Sequence, residues 1–215
     1  MVKFVIMEMI TEIEHKAVNS EEQILLSAKT IFLRDGFAGA RMQDIADEAG
    51  INKALLHYYY RSKEKLFQAV FISIMKQVIE ELGGIMQSEL HLFDKIRLFF
   101  NMHISFMQKN HYVPGFIIGE LNRNPQLVID AMMQINVQNT FGGFVDQVKD
   151  AVEKGEIKSI DPRQLFINML ALSVFPFGAR GMLFGILHFD ETQFNSFVEE
   201  RKTLCADMII KSITN

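Results

Sequence analysis

The sequence lacks the residues on which several classes of protein depend. It contains one cysteine in 215 residues, Cys205, which excludes an internal disulfide and a cysteine-rich metal site. None of the motifs G-x-S-x-G, H-E-x-x-H and G-x-G-x-x-G occurs, nor does a P-loop. The six histidines are scattered, and His103 and His111, which lie eight residues apart, have no acidic partner at ligand spacing. We therefore expect no catalytic residue, no metal site and no cofactor, and the chain is not predicted to be an enzyme.

The chain also lacks an overall positive charge. Its formal net charge is −4, so the whole protein is not a general binder of polyanions. Residues 50–65 nevertheless hold four basic side chains against one acidic side chain, Glu64. The basic residues are Lys53, Arg61, Lys63 and Lys65. Contact with phosphates requires such a local patch rather than a basic protein, so nucleic-acid binding is predicted for this stretch.

Residues 164–189 are apolar over a length that can cross a bilayer, but they lack the uniformity of a membrane span. Arg180 lies inside the stretch, together with Asn168, Pro176 and three glycines. Because a charged side chain near the bilayer centre is costly, we predict two buried or interfacial elements broken near residues 176–181. No association with a membrane is expected.

Helical periodicity dominates the rest of the chain. Residues 1–19 do not resemble a secretory leader, because Glu8 interrupts their apolar run, and a cytoplasmic location is predicted. Beyond them, apolar residues recur at helical spacing and no alternation of period two persists, which predicts an all-α fold. Ser20, followed by Gln23, is typical of a capping box and predicts the start of the first helix. Gly36 is expected to end that helix.

Residues 41–66 contain two short predicted helices joined by a tight turn, followed at once by the start of another helix. The apolar residues of the first short helix form one stripe, which Gly50 ends. They are Met42, Ile45, Ala46 and Ala49. Asn52 can cap the second short helix, since its side-chain oxygen accepts a bond from an early helical N–H. Such a unit places its second helix in a DNA groove.

That second helix has an outer face that is unusual for contact with solvent alone. Leu56, Tyr59 and Tyr60 fall on the side that packs inward. The residues left outside are Lys53, Ala54, Leu55, His57 and Tyr58. Lysine suits guanine or phosphate, tyrosine and histidine suit phosphate, and small or apolar residues suit thymine methyl groups. The alternative is that His57 and Tyr58 pack against the first helix.

The following helix begins with Ser62 as a candidate cap and Lys63 in its first turn. A phosphate at that point would meet both the free N–H groups and the lysine. Asn124–Pro125 predicts the start of a long helix that closes near residue 154. Asp161 precedes another helix, and Asp190 with Gln193 caps the last one.

The order G-F-x(4)-M-x-D-I-A-x-x-A-G-I-N-K-A-x-L-x-x-Y-Y-x-S-K-E-x-L-F resembles the DNA-binding domain of TetR-type transcriptional regulators. The resemblance covers about residues 20–70. It implies a three-helix domain whose fourth helix leads into a ligand-binding and dimerising bundle, with about nine helices. The corresponding division is an N-terminal extension (1–19), a helix-turn-helix DNA-binding domain (20–66) and a C-terminal ligand-binding and dimerisation domain (67–215).

This chain departs from the family pattern at several DNA-contacting positions. Arg41 follows Ala40 where the family has threonine or serine, and it can reach phosphate directly. Asn52, Ala54 and His57 stand where serine, glycine and tyrosine are usual. The predicted DNA-binding residues are Arg41, Asn52, Lys53, Ala54, Leu55, His57, Tyr58, Tyr59 and Lys63.

Beyond residue 84 the resemblance is architectural. The helices there are rich in phenylalanine and methionine, which suggests an apolar or amphipathic effector. The candidate ligand-binding residues are Phe99, His103, Phe106, Met107, Phe116, Phe141, Met169 and Phe175. The alternative for most of them is plain core, and a satisfied core histidine is the favoured interpretation of His103. Glu120 is predicted to be a solvated helix residue, with a buried acceptor as the alternative.

The resemblance further implies dimerisation through the last two helices, near residues 162–180 and 190–212. The candidate interface residues are Phe166, Leu170, Phe177, Phe197, Leu204 and Met208. The sequence thus predicts a homodimeric, ligand-released repressor that binds double-stranded DNA at a palindromic operator. The alternative is a helical small-molecule-binding protein whose DNA-binding head is vestigial.

Overall fold

The computed structural model describes the backbone of residues 2–135 and 137–214, and the side chains of residues 20–80, 82–135 and 141–214. This part of the chain is helical and contains no strand, so the all-α prediction is confirmed. The helices are α1 (Val2–Gly39), α2 (Met42–Glu48), α3 (Lys53–Tyr59), α4 (Lys63–Met86), α5 (Leu92–Lys109), α6 (Val113–Arg123), α7 (Pro125–Gln134), α8 (Val137–Glu153), α9 (Pro162–Gly178), α10 (Arg180–Leu187) and α11 (Glu191–Ile213).

α1 begins at Val2, so Ser20 lies inside a helix and the prediction that it starts one is wrong. No glycine or proline interrupts the residues before it, so the helix continues through the serine. The predicted stop at Gly36 is confirmed. Gly36 has φ 68° and ψ 177°, which interrupts the helical backbone before the short turn that ends at Gly39. A glycine adopts this conformation without steric cost.

Most predicted caps are present. Asn52 accepts a hydrogen bond from the Leu55 N–H at 2.8 Å, and Ser62 accepts one from the Lys65 N–H at 3.3 Å. Asp161 caps α9, and Asp190 forms a full capping box with Gln193 at the start of α11. These bonds satisfy N–H groups that the helices leave without partners, and they fix where each helix begins.

The predicted long helix from Pro125 to about residue 154 is wrong, because two helices occupy that range. α7 ends at Gln134 and α8 begins at Val137. Apolar residues continue at helical spacing on both sides of the break, which is why the pattern concealed it. Asn124 also makes no side-chain cap for α7. Its amide instead donates to Glu120, 2.8 Å away.

The helices enclose two hydrophobic clusters. The first joins α1–α4 with α6 and α7, and includes Phe32, Leu56, Phe67 and Phe116. The second joins the end of α4 with α5, α8, α9 and α11. α4 serves both, because its buried residues from Leu66 to Met75 belong to the first cluster, whereas Val78, Leu82 and Met86 belong to the second. The first cluster therefore extends past the predicted boundary at residue 66, into α4, α6 and α7.

Among the described residues, no single helix is both long and apolar enough to cross a membrane. α9 and α10 pass that test when taken together, but they meet at a bend of 64°. The break lies at Ala179, within the predicted range 176–181.

Candidate DNA-binding surface and ligand-binding body

α2 and α3 are joined by a short turn that the first hydrophobic cluster holds in place. Ile45 and Ala46 bury the inner side of α2, and Leu56 anchors α3 in the same core. Gly50 has φ 66°, a left-handed conformation that ends α2 and redirects the chain into α3. The result is a helix-turn-helix in which the outer side of α3 is available for contact.

The outer face of α3 has the composition expected of a surface that meets DNA. Lys53, Ala54 and His57 are exposed, and Leu55 is half-buried. Tyr58 is 80% exposed, with its ring edge against the ring of Tyr59 at a centroid distance of 5.6 Å. His57 and Tyr58 therefore project to solvent and do not pack against α1. A rigid helix that presents a cation, two aromatic side chains and small residues suits entry into a groove.

Tyr60 follows α3 and fixes its end. The Tyr60 hydroxyl donates to a Glu21 carboxylate oxygen on α1 at 3.1 Å. Burial, together with the nearby Glu21 charge, raises the pKa of the Tyr60 phenol above its usual range, so the hydroxyl keeps its proton. Helical periodicity places Tyr60 on the inner side but does not reveal this partner, because 39 residues separate the two side chains.

Arg41 and Lys63 occupy neighbouring parts of the same surface but differ in their freedom. Arg41 is exposed at the start of α2 and makes no side-chain cap. Lys63 is half-buried; its ammonium donates to the Ala40 carbonyl at 3.1 Å and lies 4.6 Å from the Phe37 ring centroid. Lys63 thus stabilises the corner before α2, while it retains further N–H donors for an anion.

Glu120 is 1% exposed, so the prediction of a solvated residue is wrong and the buried-acceptor alternative is correct. One of its oxygens accepts the Phe37 N–H at 3.0 Å, and the other accepts the Asn124 amide. This contact joins α6 to the last turn of α1. No local sequence pattern could have revealed it, because the partners are 83 residues apart.

The candidate ligand-binding residues separate into three environments. Phe99, His103, Met107 and Met169 are buried in the second cluster, with Phe106 and Phe141 packed at its edge. Phe116 lies in the first cluster, where its ring is 5.7 Å from that of Phe67. Phe175 is 59% exposed. The structure therefore brings together six of the eight candidates and places the other two elsewhere.

His103 is the polar member of this group. Its Nδ1 lies 2.9 Å from the Ser173 hydroxyl oxygen, which is also within 3.0 Å of the Met169 and Leu170 carbonyls. Because a carbonyl can only accept, Ser173 donates to the helix and accepts from His103 Nδ1–H. Burial lowers the pKa of His103 to about 4, so the ring is neutral at pH 7.

The candidate interface residues also differ in exposure. Phe177 is buried by its own chain, whereas Phe166, Leu170 and Phe197 are half-buried. Leu204 and Met208 are 54% and 52% exposed on α11. α9, which packs against α11, adds two exposed apolar side chains, Ile167 and Phe175. Large apolar side chains exposed together on two packed helices are typical of a surface that another molecule covers.

A helix-turn-helix with an exposed cationic face, mounted on a helical body, defines a DNA-binding protein of the regulator type. Residues 24–70 match the family described as bacterial regulatory proteins, tetR family. The HTH-type transcriptional regulator UidR of Escherichia coli (strain K12) is 30% identical over 154 residues, which cover 69% of this chain and 74% of UidR. The chain belongs to the TetR family of transcriptional regulators.

Solved structures agree with this assignment at the level of the fold. A Mesorhizobium loti protein assigned to the TetR family superposes with a TM-score of 0.66 at 17% identity, over 93% of this chain and 98% of that one. The regulator FadR of Bacillus subtilis, in complex with stearoyl-CoA, superposes with a TM-score of 0.60 at 17% identity, over 86% and 97%. The chain is thus a DNA-binding transcriptional regulator with the architecture of this family.

Proposed function

We propose that the protein is a homodimeric repressor that an apolar or amphipathic effector releases from a palindromic operator. The observation that carries this proposal is the outer face of α3, where Lys53, His57 and Tyr58 are exposed while Leu56 fixes the helix in the core. Side chains held on a rigid element read DNA with less entropic cost than side chains on a mobile loop. The proposed protein acts in the cytoplasm, as a regulator and not as an enzyme or a membrane protein.

Within the proposed complex, the nine predicted residues have different tasks. Lys53 reads a base edge, assisted by apolar contact from Ala54 and Leu55. The remaining six residues contact phosphates, either through their side chains or through backbone N–H groups at the starts of helices. Those residues are Arg41, Asn52, His57, Tyr58, Tyr59 and Lys63. Two heads related by a two-fold axis would meet half-sites about 34–36 Å apart, or a multiple of that spacing.

The proposed dimer uses the exposed apolar face of α9 and α11, with Leu204 and Met208 at its centre. Their exposure in one chain supports this assignment, because burial of the exposed half of a large apolar side chain gains about 1 kcal/mol. Phe166, Leu170 and Phe197 adjoin the face, and Phe177 supports it from within the chain.

The proposed effector site is the part of the second cluster around Phe99, His103 and Met169. It is lined by aromatic and methionine side chains with one convergent polar group, which is the composition of pockets for apolar ligands. Methionine repacks readily, so a ligand can enter by displacing side chains. A FadR structure that holds stearoyl-CoA on the same fold supports an amphipathic molecule with an acyl chain.

The direct test is selection of duplexes from a random-sequence library by the wild-type protein, followed by fluorescence anisotropy of the enriched duplex. We expect a palindromic consensus and an affinity that falls steeply with salt. Lys53→Ala should weaken binding by about tenfold or more and relax the preference at one position of each half-site. Lys149→Ala, an exposed lysine on α8, is the matched control.

Two results would favour the alternative of a small-molecule-binding protein with an unused head. One is the absence of any enriched sequence, and the other is equal DNA affinity for wild type and Lys53→Ala. The effector is tested with stearoyl-CoA added to the wild-type complex. Release of the duplex supports the proposed class, whereas undiminished binding at saturating stearoyl-CoA excludes that compound as the effector.

A further inference from the structure

Residues 36–40, which form the last turn of α1 after the kink at Gly36 and lead towards α2, are held from two sides. On one side Lys63, at the start of α4, contacts the Ala40 carbonyl and the Phe37 ring. On the other side α6, which belongs to the body, reaches the Phe37 N–H through Glu120. The next residue after this segment is Arg41, which is exposed at the start of α2. A short corner of the head is therefore fixed directly by the body.

The Glu120 contact has the features of a specific bond and not of a surface encounter. The side chain is 1% exposed, and each carboxylate oxygen accepts a hydrogen bond, from Phe37 N–H at 3.0 Å and from Asn124 Nδ2 at 2.8 Å. Arg123 approaches at 3.5 Å from the exposed rim. Hydrogen bonds to a buried carboxylate are stronger than neutral ones, and they leave an expensive unpaired group when broken.

Gly36 allows this close approach. A Cβ at position 36 would lie 3.2 Å from the Glu120 oxygen, and the φ of 68° disfavours any side chain in addition. The glycine therefore serves two purposes, because it bends the chain near the end of α1 and admits the carboxylate to the N–H of Phe37. Packing supports the same junction, since the rings of Phe37 and Phe116 both contact Phe67.

We propose that Glu120 is a positioning residue for DNA binding, which sets the corner before α2 and thereby places Arg41 on the phosphate backbone. Any displacement of α6 then reaches the DNA-contacting surface through this bond, in addition to any displacement carried by α4. This inference rests on the proposed DNA contact of Arg41. It assigns to a body residue, distant from the recognition helix in sequence, a direct part in the geometry of the head.

The test compares Glu120→Ala and Glu120→Gln with wild type, using the duplex that wild type enriches from a random-sequence library. We expect Glu120→Ala to weaken binding by about tenfold and to reduce the slope of log affinity against log salt by about two, as for loss of one phosphate contact in each subunit of the proposed dimer. Glu120→Gln keeps an acceptor for Phe37 N–H and should retain most of the affinity. Glu153→Ala, an exposed glutamate on α8, is the matched control.

A double-mutant cycle with Arg41 separates positioning from general destabilisation. If Glu120 acts through Arg41, Glu120→Ala should cost little further affinity in an Arg41→Ala background, whereas its effect should add to that of Lys53→Ala. Additivity with Arg41→Ala would overturn the proposal, as would a Glu120→Ala protein with wild-type affinity and salt slope. If Arg123→Ala weakened binding as much as Glu120→Ala, the ion pair and not the bond to Phe37 would be responsible.

Two further results keep the outcomes distinct. Thermal unfolding shows whether Glu120→Ala folds; if it does not, Gly36→Ala tests the same contact from the opposite side and should lower the affinity and the salt slope together. Wild-type affinity of a folded Gly36→Ala protein would overturn the proposal. If wild type itself enriches no sequence, the proposed function fails, which is a different result from an unaltered Glu120→Ala variant.

Discussion

Arg201 on α11 supplies a hydrogen-bond donor that a proline removes from α9. Pro176 has no N–H, so the Leu172 carbonyl, four residues earlier, lacks its helical donor. The Arg201 guanidinium on α11 donates to that carbonyl at 2.8 Å and also lies 5.5 Å from the Phe197 ring centroid. The proline thus makes α9 dependent on α11 at the point where the two helices adjoin the proposed dimer face.

The dependence predicts a measurable coupling between the two residues. Arg201→Met should lower the free energy of unfolding by about 1–3 kcal/mol, because it leaves the Leu172 carbonyl without a donor. In a Pro176→Ala background residue 176 supplies an N–H, so Arg201→Met should cost less there. Urea unfolding of the four proteins measures the cycle. Lys211→Met, on the exposed side of α11, is the control, and a cycle without coupling would contradict the explanation.

His103 gives the body core a dependence on pH. Burial lowers the pKa of the folded-state ring to about 4, against about 6.5 in the unfolded chain. Below pH 6.5 the unfolded chain binds a proton that the folded chain does not, so stability falls as pH falls from about 6.5 to about 4. This one residue should remove about 2 kcal/mol of stability between pH 7 and pH 5.

His103→Asn should remove that loss, since asparagine can offer Ser173 an N–H but does not titrate. The measurement is the free energy of unfolding at pH 7 and pH 5 for variant and wild type at equal protein concentration. His188→Asn is a suitable control, because His188 is exposed at φ 56°, where asparagine is readily accommodated. The same loss with and without His103 would show that the ring is not the group that titrates.

At the scale of helices, the sequence predicted those features that depend on neighbouring residues. The caps at Asn52, Ser62 and Asp190 follow from a side chain and a backbone N–H two or three residues apart, and all are present. The start of α1 and the break between α7 and α8 were not predicted. Helix-forming sequence runs through both points, so tertiary packing and not local preference decides them.

The features of the DNA-binding surface likewise separate into those that the sequence predicted and those that it did not. The exposed face of α3 follows from periodicity, together with the resemblance to a known family. The contact of Glu120 with Phe37, the pairing of Tyr60 with Glu21 and the separation of Phe116 from the other ligand candidates all depend on which helices meet. A helical pattern states which side of a helix is buried, but it does not state against which partner.

The cap of α3 offers a prediction at this scale. Asn52→Ala removes the acceptor for the Leu55 N–H and should lower the free energy of unfolding by about 1 kcal/mol. Because α3 is short, the first turn should also open more often, which amide exchange at Leu55 would detect. Asn101→Ala, an exposed site within α5, should have little effect. Equal protection at Leu55 in both variants would contradict the assigned cap.

For the whole molecule, the apolar face of α9 and α11 predicts the state of assembly. Leu204→Asp with Met208→Asp should leave the chain folded, since both side chains are more than half exposed, but should prevent association. Light scattering should then give 24.7 kDa, the mass of one chain, where wild type gives twice that mass. Met133→Asp changes a methionine on α7 that is 75% exposed, and this variant should remain dimeric. An associated double variant would place the interface elsewhere.

The two hydrophobic clusters determine how far this protein can be treated as a set of interchangeable modules. Phe67, Val70 and Phe71 of α4 complete the core around the helix-turn-helix, and α6 and α7 add Phe116 and Val128 to it. A chimaera that carried only residues 20–66 would lack the part of the first hydrophobic cluster that α4, α6 and α7 supply, and it would lack the Glu120 contact. An engineer who wishes to retarget this regulator should therefore exchange the outer face of α3 alone, and leave the helices beneath it with their own body.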